Sequence, residues 1–289
     1  MTETRTAGLI LNYRTADSSY ECLESLVREG IHTAIVVDNS EDDGRSAAEL
    51  RELHAGRRLP LELWIEVSPR NLGFAAGVNL GLRLLRERMG ESDVVLINSD
   101  AKAAPGMLQA LRRAAAGTGQ PSLVEAGERD ERGEPRVTVR FYHRALGLFL
   151  RKPFPGAFRY LSGCCLFIPA AYAGTALYDE DFFFYGEDVA LSWRMMQAGI
   201  PLVHCPEAQV LHLGGKSSKP NSFFYEYHIA RCHLTLARKL ARNTAQRALF
   251  LSLHTLTLAS RAIWRSLRTR RLTAVSACWA ALVPLKRST

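Results

Sequence analysis

The stretch AGLILNYRTADSSYECLESLVREGIHTAIVVDNS, Ala7 to Ser40, decides the fold. Ala7–Leu11 and Thr33–Val37 are short, apolar and rich in branched side chains, as strands covered on both faces are. Between them, Ser18 to Glu29 reads as a helix. A strand, a helix and a strand of this kind form a right-handed crossover, so the two strands lie parallel.

The alternation continues outward. A helix is expected over Ser46–His54, a strand over Leu61–Val67, a helix over Ala75–Glu87 and a strand over Val94–Asn98. This order predicts an α/β domain with a Rossmann-like, mostly parallel sheet and helices on both faces. Ligands of such sheets bind beyond the carboxyl ends of the strands. Asn12, Asp38 and Asp100 sit at or just past three of those ends. Gly117–Arg136 is Gly-, Glu- and Arg-rich and reads as an exposed connection. Arg136–Leu150 gives no assignment. Tyr160–Ile168 reads as one buried strand, Pro201–His204 as a short strand leading into Val210–Leu213, and everything from Phe223 onward as helix.

The composition is that of a globular chain, with 47% hydrophobic and 23% charged residues, and disordered or collagen-like classes are excluded. The net charge of +8 divides unevenly. Residues 1–225 carry 25 basic against 28 acidic side chains, and residues 226–289 carry 12 against 1. A nucleic-acid surface needs bases interleaved with aromatics, and after Tyr227 the tail has only Phe250, Trp264 and Trp279. No nucleic-acid partner is expected. The six cysteines show no CxxC spacing, which fits a reducing cytoplasm. The charged opening residues do not form a signal peptide. The uncharged stretch Ala248–Ser260 of the tail is too short to span a bilayer.

Four motifs carry candidate chemistry. Val36-Val37-Asp38-Asn39-Ser40 puts a carboxylate at a strand end, where it can take hydrogen bonds from a nucleobase or ribose or cap the following turn. Asn71-Leu72-Gly73-Phe74-Ala75-Ala76-Gly77-Val78-Asn79-Leu80-Gly81 spaces three glycines by four, each costing about 1 kcal/mol in a helix interior relative to Ala. Close approach of a backbone or ligand, or helix-on-sheet packing, explains them. Val94–Asp100 ends in Asn98, Ser99 and Asp100, and a lone carboxylate there can hold a hard divalent cation. His212-Leu213-Gly214-Gly215-Lys216-Ser217-Ser218 offers an imidazole for a metal or a leaving group and a cation for a diphosphate. Its spacing is not that of a Walker A loop.

The segment Asp179–Arg194, DEDFFFYGEDVALSWR, runs four aromatics into Gly186 and then the acids Glu187 and Asp188 at the start of a helix expected to end at Gly199. Acids in a helical first turn complement its dipole. Beside a wall of aromatics they can also remove a proton.

In order, these segments resemble family 2 glycosyltransferases, especially the rhamnosyltransferase-like branch, from about residue 7 to residue 240. The marks are VVDNS, NLGFAAGVNLG, INSD, YLSGCCLFIP, DEDFFFYGEDVALSWR and HLGGKSS. The resemblance implies a GT-A fold over residues 1–222, with a nucleotide-binding half at about 1–116, an acceptor half at about 136–222, and a basic helical region over 223–289. It implies an inverting transferase using a nucleoside-diphosphate sugar, dTDP-rhamnose favoured, and a glycan or polyprenyl-linked acceptor. Asn12, Asp38, Asn71, Gly73, Gly77, Asn98, Ser99, Asp100 and Lys216 would form the nucleotide-sugar site. Asp100 and His212 would hold Mg²⁺ or Mn²⁺, and Asp188 would be the base with Glu187 as competitor. The pattern departs from the family at three points. Asn98 stands where an acid is common, Ala190 stands where a further Asp is common, and the first strand ends Asn12-Tyr13-Arg14.

The expected location is cytoplasmic, at the inner face of the cell membrane. The tail would lie on an anionic bilayer through Leu249, Leu253, Leu256 and Ile263 with Arg261, Arg265, Arg268, Arg270 and Arg271; packing on the catalytic domain or a second subunit in a homo-oligomer is the other reading. Two other functions stay open: a catalytically degenerate scaffold and a nucleic-acid binder driven by the tail.

Overall fold

A computed structural model describes residues 5–136, 140–214 and 221–283. The first half follows the expected order: β1 (Thr6–Asn12), α1 (Ala16–Arg28), β2 (Thr33–Asp38), α2 (Arg45–Arg57), β3 (Glu62–Val67), α3 (Gly73–Met89), β4 (Asp93–Asn98), β5 (Ala101–Ala103) and α4 (Met107–Ala116). β1 runs parallel to both β2 and β4. Because successive strand side chains point to opposite faces, Ile10, Val36 and Ile97 pack on one side with Tyr20, Leu23 and Leu26 of α1. Leu9, Ile35 and Val37 pack on the other with Val78, Leu82 and Leu85 of α3. Helices therefore cover both faces.

The second half adds β6 (Leu123–Arg129), β7 (Arg140–His143), β8 (Leu148–Leu150), β9 (Ala157–Tyr160), β10 (Cys165–Ile168), α5 (Ala170–Ala173), α6 (Glu187–Gln197) and β11 (Leu202–His212). Among the described residues the main sheet has eight strands in the order β3-β2-β1-β4-β10-β6-β11-β5, and β8-β7-β9 form a small second sheet. Strand β10 runs antiparallel to both β4 and β6 and so joins the halves into one continuous sheet.

Two sequence expectations are corrected here. The stretch expected as an exposed connection contains β6, an interior strand buried at six of its seven positions. Its Glu125 and Glu128 look like surface charges, but both are paired inside the protein. The single strand expected over Tyr160–Ile168 is two strands in two sheets. The chain leaves the ladder because Leu161 N donates to Ser192 Oγ at 3.0 Å and Ser162 N to a Glu125 carboxylate oxygen at 2.7 Å. Gly163 allows this crossing, since a Cβ there would lie 3.2 Å from the Phe74 ring. Arg136–Leu150, left without an assignment, supplies β7 and β8. β11 is one strand with a register shift between Cys205 and Gln209, where Pro206 has no N–H to give the ladder.

Helices α7 (Phe223–Lys239), α8 (Thr244–Thr269) and α9 (Thr273–Leu282) follow. The side chains of Ser222 and Asn243 cap α7 and α8, accepting from Tyr225 N and Gln246 N. Cys232, Leu236 and Leu240 share a core with Phe182 and Val189, so α7 packs directly against the aromatic–acidic segment.

Candidate active site

At the carboxyl ends of β1 and β2, Asp38 is buried and its Oδ1 accepts from Asn12 Nδ2 at 2.8 Å and from the Ser40 hydroxyl. Asn12 is wholly enclosed. Its Oδ1 takes hydrogen bonds from Thr15 Oγ1 at 3.1 Å and Ser19 Oγ at 2.8 Å, so it positions Asp38 and presents no free group to solvent. The second carboxylate oxygen of Asp38 is buried without a protein partner, an arrangement costly in a folded chain unless something completes it.

The glycine helix has a divided role. Gly73 begins α3 at φ +76°, and a Cβ there would meet the Phe183 carbonyl oxygen at 2.3 Å. That carbonyl accepts from Phe74 N at 2.8 Å, which ties the start of α3 to the aromatic run. Asn71 Oδ1 accepts from Gly73 N at 2.9 Å and fixes this turn. Gly77 lies against Leu11 and the Asn39 amide, and Gly81 against Leu9 and Val37, so these two serve helix-on-sheet packing.

Beyond β4, Ser99 Oγ lies 3.2 Å from Thr15 Oγ1, and Asp100 Oδ1 lies 3.3 Å from His212 Nε2. The other ring nitrogen, His212 Nδ1, is 3.0 Å from Glu128 Oε2. Arg140 bridges Glu128 at 2.6 Å and Glu125 at 2.9 Å, and Glu125 also meets His204 Nδ1 at 3.2 Å. Burial alone would lower the His212 imidazole, but hydrogen bonds to Asp100, Cys164 and Glu128 win and hold it up at about 12. Burial would raise Glu128, but the His212 hydrogen bond and the Arg140 charge push it down to about 2. Asp100 and His212 thus come together as expected, and a carboxylate beside an imidazole is a donor set that suits a divalent cation such as Mn²⁺. Asn98 contributes backbone, its N–H donating to the Cys164 carbonyl at 2.9 Å. Sequence reasoning missed Glu125, Glu128 and Arg140. The available signal was two acids at spacing three inside an otherwise apolar LVEAGE run, a poor fit to a solvated loop.

The acid pair sits on a strained turn. Tyr185 and Gly186 have φ values of +65° and +88°, and a Cβ on Gly186 would lie 2.5 Å from Cys232 Sγ. An aromatic residue in the left-handed region is rare and persists only where surrounding packing holds it. Here Tyr185 packs edge-on against Tyr225 of α7, Phe183 stacks on His228 at 5.0 Å, and Lys239 binds Asp179 and Asp181. From α3, the Asn79 amide bonds the Tyr178 backbone and the Glu180 carboxylate.

Helix α6 begins at Glu187, and the two acids differ. Glu187 is buried with Oε2 lacking a partner, and burial, reinforced by the charge of Asp188, pushes it up to about 8. Asp188 is half-buried; burial pushes it up to about 6, opposed by the Val189 N–H at 2.7 Å and by the charge of Arg140. The helix dipole, expected to keep this acid ionised, is outweighed by desolvation. Burial raises both carboxylates, and of the two only Asp188 has the Arg140 charge opposing the rise.

Arg261 and Arg265, expected to face a membrane, instead bind the buried Glu226 at 2.6 and 2.8 Å, because an acid buried in α7 requires a counter-charge. The surface of α8 and α9 nevertheless exposes Leu249, Leu256, Ile263, Trp264, Leu267 and Trp279. No helix of the described residues is long and apolar enough to cross a membrane. Lys216 lies outside the described residues.

No family model matches the sequence. The chain is 29% identical over 217 residues to the N-acetylglucosaminyl-diphospho-decaprenol L-rhamnosyltransferase of Mycobacterium tuberculosis, covering 65% of this chain and 68% of that protein. Its fold matches a mannosyltransferase from Pyrobaculum calidifontis, solved with GDP-Man and Mn²⁺, at a TM-score of 0.60 and 16% identity over 99% of this chain and 89% of the other. It also matches S. aureus TarS 1-349 at 0.56 and 15%, over 96% and 79%. This chain has the GT-A fold and resembles the rhamnosyltransferase-like family 2 glycosyltransferases.

Proposed function

We propose that this chain is an inverting glycosyltransferase that moves a sugar, with dTDP-rhamnose the favoured donor, to a hydroxyl of a polyprenyl-linked glycan in cell-surface polysaccharide synthesis. One observation carries the reading. A continuous polar track runs from Asp38 through Asn12, Thr15 and Ser99 to Asp100, His212, Glu128 and Arg140, and the charge of Arg140 then reaches Asp188. Asp38, Asp100, Glu128 and His212 thus lie at or just past ends of strands of the main sheet, and Arg140 of the small sheet carries the track toward Asp188 at the start of α6.

In this reading the free oxygen of Asp38 accepts from the donor's base or ribose. Asn71, Gly73 and Gly77 shape the pocket over residues 1–116, with Asn98 and Ser99 beside the diphosphate. Asp100 and His212 would hold Mg²⁺ or Mn²⁺, which supplies positive charge to the leaving diphosphate. Asp188 removes the proton from the acceptor hydroxyl as that oxygen attacks the anomeric carbon from the face opposite the diphosphate. Glu187, raised by burial and with no opposing cation, leaves the base role to its neighbour. Residues 136–222 present the acceptor, and Lys216, outside the described residues, is assigned to the diphosphate by the sequence resemblance alone.

The lipid-linked acceptor of the mycobacterial relative fits a protein working at the cytoplasmic membrane face. Leu249, Leu256 and Ile263 recur every seven residues on α8 and are 54–65% exposed, beside Leu267 at 75% and Trp279 at 71%. With Arg268, Arg270 and Arg271 nearby, this stripe suits an anionic interface. Incubation of purified protein with dTDP-rhamnose, Mn²⁺ and a prenyl-diphosphate-linked N-acetylglucosamine tests the whole reading. It predicts a rhamnosylated product of inverted anomeric configuration. A retained configuration, or donor turnover with no acceptor dependence, contradicts it. Flotation with anionic vesicles at low salt, reduced at high salt, tests the membrane part.

A further inference from the structure

Cys164 has no part in that chemistry, yet it lies beside it. The thiol of Cys164, a Glu128 carboxylate oxygen and a ring nitrogen of His212 all lie within 4.8 Å of one another. Glu128 and Cys164 are buried, whereas His212 is only partly so, which leaves the imidazole as the side from which an ion would enter. We infer that Glu128, Cys164 and His212 form a second cation site, selective for thiophilic divalent ions of the Zn²⁺ type, that shares His212 with Asp100.

The two donor sets differ in softness. Asp100 with His212 offers oxygen and nitrogen, which Mn²⁺ accepts. The second set adds sulfur, which Mg²⁺ and Mn²⁺ use poorly and Zn²⁺ or Cd²⁺ prefer. Three protein ligands of mixed N, O and S type, with a fourth position left to water, match open zinc sites. Binding forms one bond each to sulfur, nitrogen and oxygen. The thiol and the imidazolium each release a proton to solvent, with no change of oxidation state. Arg140, 2.6 Å from Glu128, and Arg136, whose Nη1 is 3.4 Å from His212 Nδ1, oppose a cation here. Glu125, Asp100 and the thiolate offset them. His212 turns Nε2 toward Asp100 and Nδ1 toward Glu128, so a thiophilic ion held by the second set lowers the basicity the ring can offer a cation at Asp100 and sets a second positive charge beside it. Zn²⁺ therefore inhibits transfer supported by Mn²⁺. The binding stands apart from the proposed function; the inhibition rests on it.

The test uses Co²⁺ or Cd²⁺ as the probe on the full chain. Titration is expected to raise a thiolate-to-metal charge-transfer absorption that saturates at one ion per chain. Cys278→Ser, which changes a partly exposed cysteine packed among the C-terminal helices, retains the band, and Cys164→Ser loses it. X-ray absorption of the Zn²⁺-loaded wild-type protein is expected to show one sulfur at about 2.3 Å. Zn²⁺ inhibition in excess Mn²⁺ weakens in Cys164→Ser by at least the roughly 10–100-fold that a lost outer-shell partner costs a metal site. A wild-type protein with no band and no sulfur in the zinc shell overturns the site, and so does an undiminished band in Cys164→Ser. The zinc-edge measurement decides even if the variants fail to fold. A band without any glycosyl transfer leaves this site standing and removes the proposed function.

Discussion

Glu128 and Glu187 are both glutamates in one site, 5% and 8% exposed, and they are pushed in opposite directions. Glu128 meets Arg140 and His212 and falls to about 2. Glu187 has an unpartnered oxygen and a like charge beside it, and rises to about 8. Equal burial therefore does not set equal charge; the partner does. One acid is thus favoured in its charged form and the other in its neutral form. Asp188 lies between these environments, near Glu187 in sequence but within reach of the Arg140 charge.

The largest expected effect comes from removing the group between them. Asp188→Asn should lower turnover by roughly 10²–10⁴-fold, the usual share of a general base, with nucleotide-sugar affinity unchanged by calorimetry. Near-normal turnover would sink the assignment. Arg140→Met tests the Glu128 side. It strands two buried carboxylates and should cost about 3 kcal/mol in denaturant unfolding, the low end for breaking a buried pair. A loss within experimental error would mean that the pairing does not hold Glu128 ionised.

Asp100→Ala should weaken nucleotide-sugar binding in Mn²⁺ by at least the roughly 10–100-fold of a disturbed metal shell, with little change in EDTA. Equal affinities of variant and wild type in Mn²⁺ would argue against a cation between Asp100 and His212. The smallest effects are on pH dependence, and their signs are opposed. The folded value of Glu187 is raised above its ordinary 4.5. Its contribution to stability is therefore full below about 4.5 and is lost as pH rises through about 8. Glu187→Gln should melt higher than wild type at pH 9, with the gap closing toward pH 4.5. Glu128 is depressed, so its contribution is present above 4.5 and is lost as pH falls toward 2. Glu128→Gln should melt lower than wild type at neutral pH, with the gap narrowing in acid. Parallel melting profiles for the two variants would erase the contrast. Activity should fall as pH drops through about 6, following Asp188.

The first half of the chain was legible because its signals are local. Apolar runs such as Ala34–Val37 and the glycine-spaced face of α3 show their periods within one element. Asp38 and Asp100 could be found from their place at strand ends. The helix starting at Glu187 followed from Gly186. The second half was harder for the opposite reason. β6 carries charges that a sequence reader assigns to solvent, and the partner of Glu128 is 84 residues away at His212. Arg261 and Arg265 were read as a surface stripe for the same reason, since Glu226 lies 35 residues from Arg261.

The amino-acid sequence by itself determined the parallel βα framework, the strand-end positions of Asp38 and Asp100, and the acidic turn at Glu187 and Asp188, because period and turn chemistry act over a few residues. Only the tertiary structure decided which buried acids are ionised, that Asn12 acts through Asp38, and that Cys164 lies beside His212. Those properties depend on desolvation and on charges brought together from distant segments, and neither exists until the chain has folded.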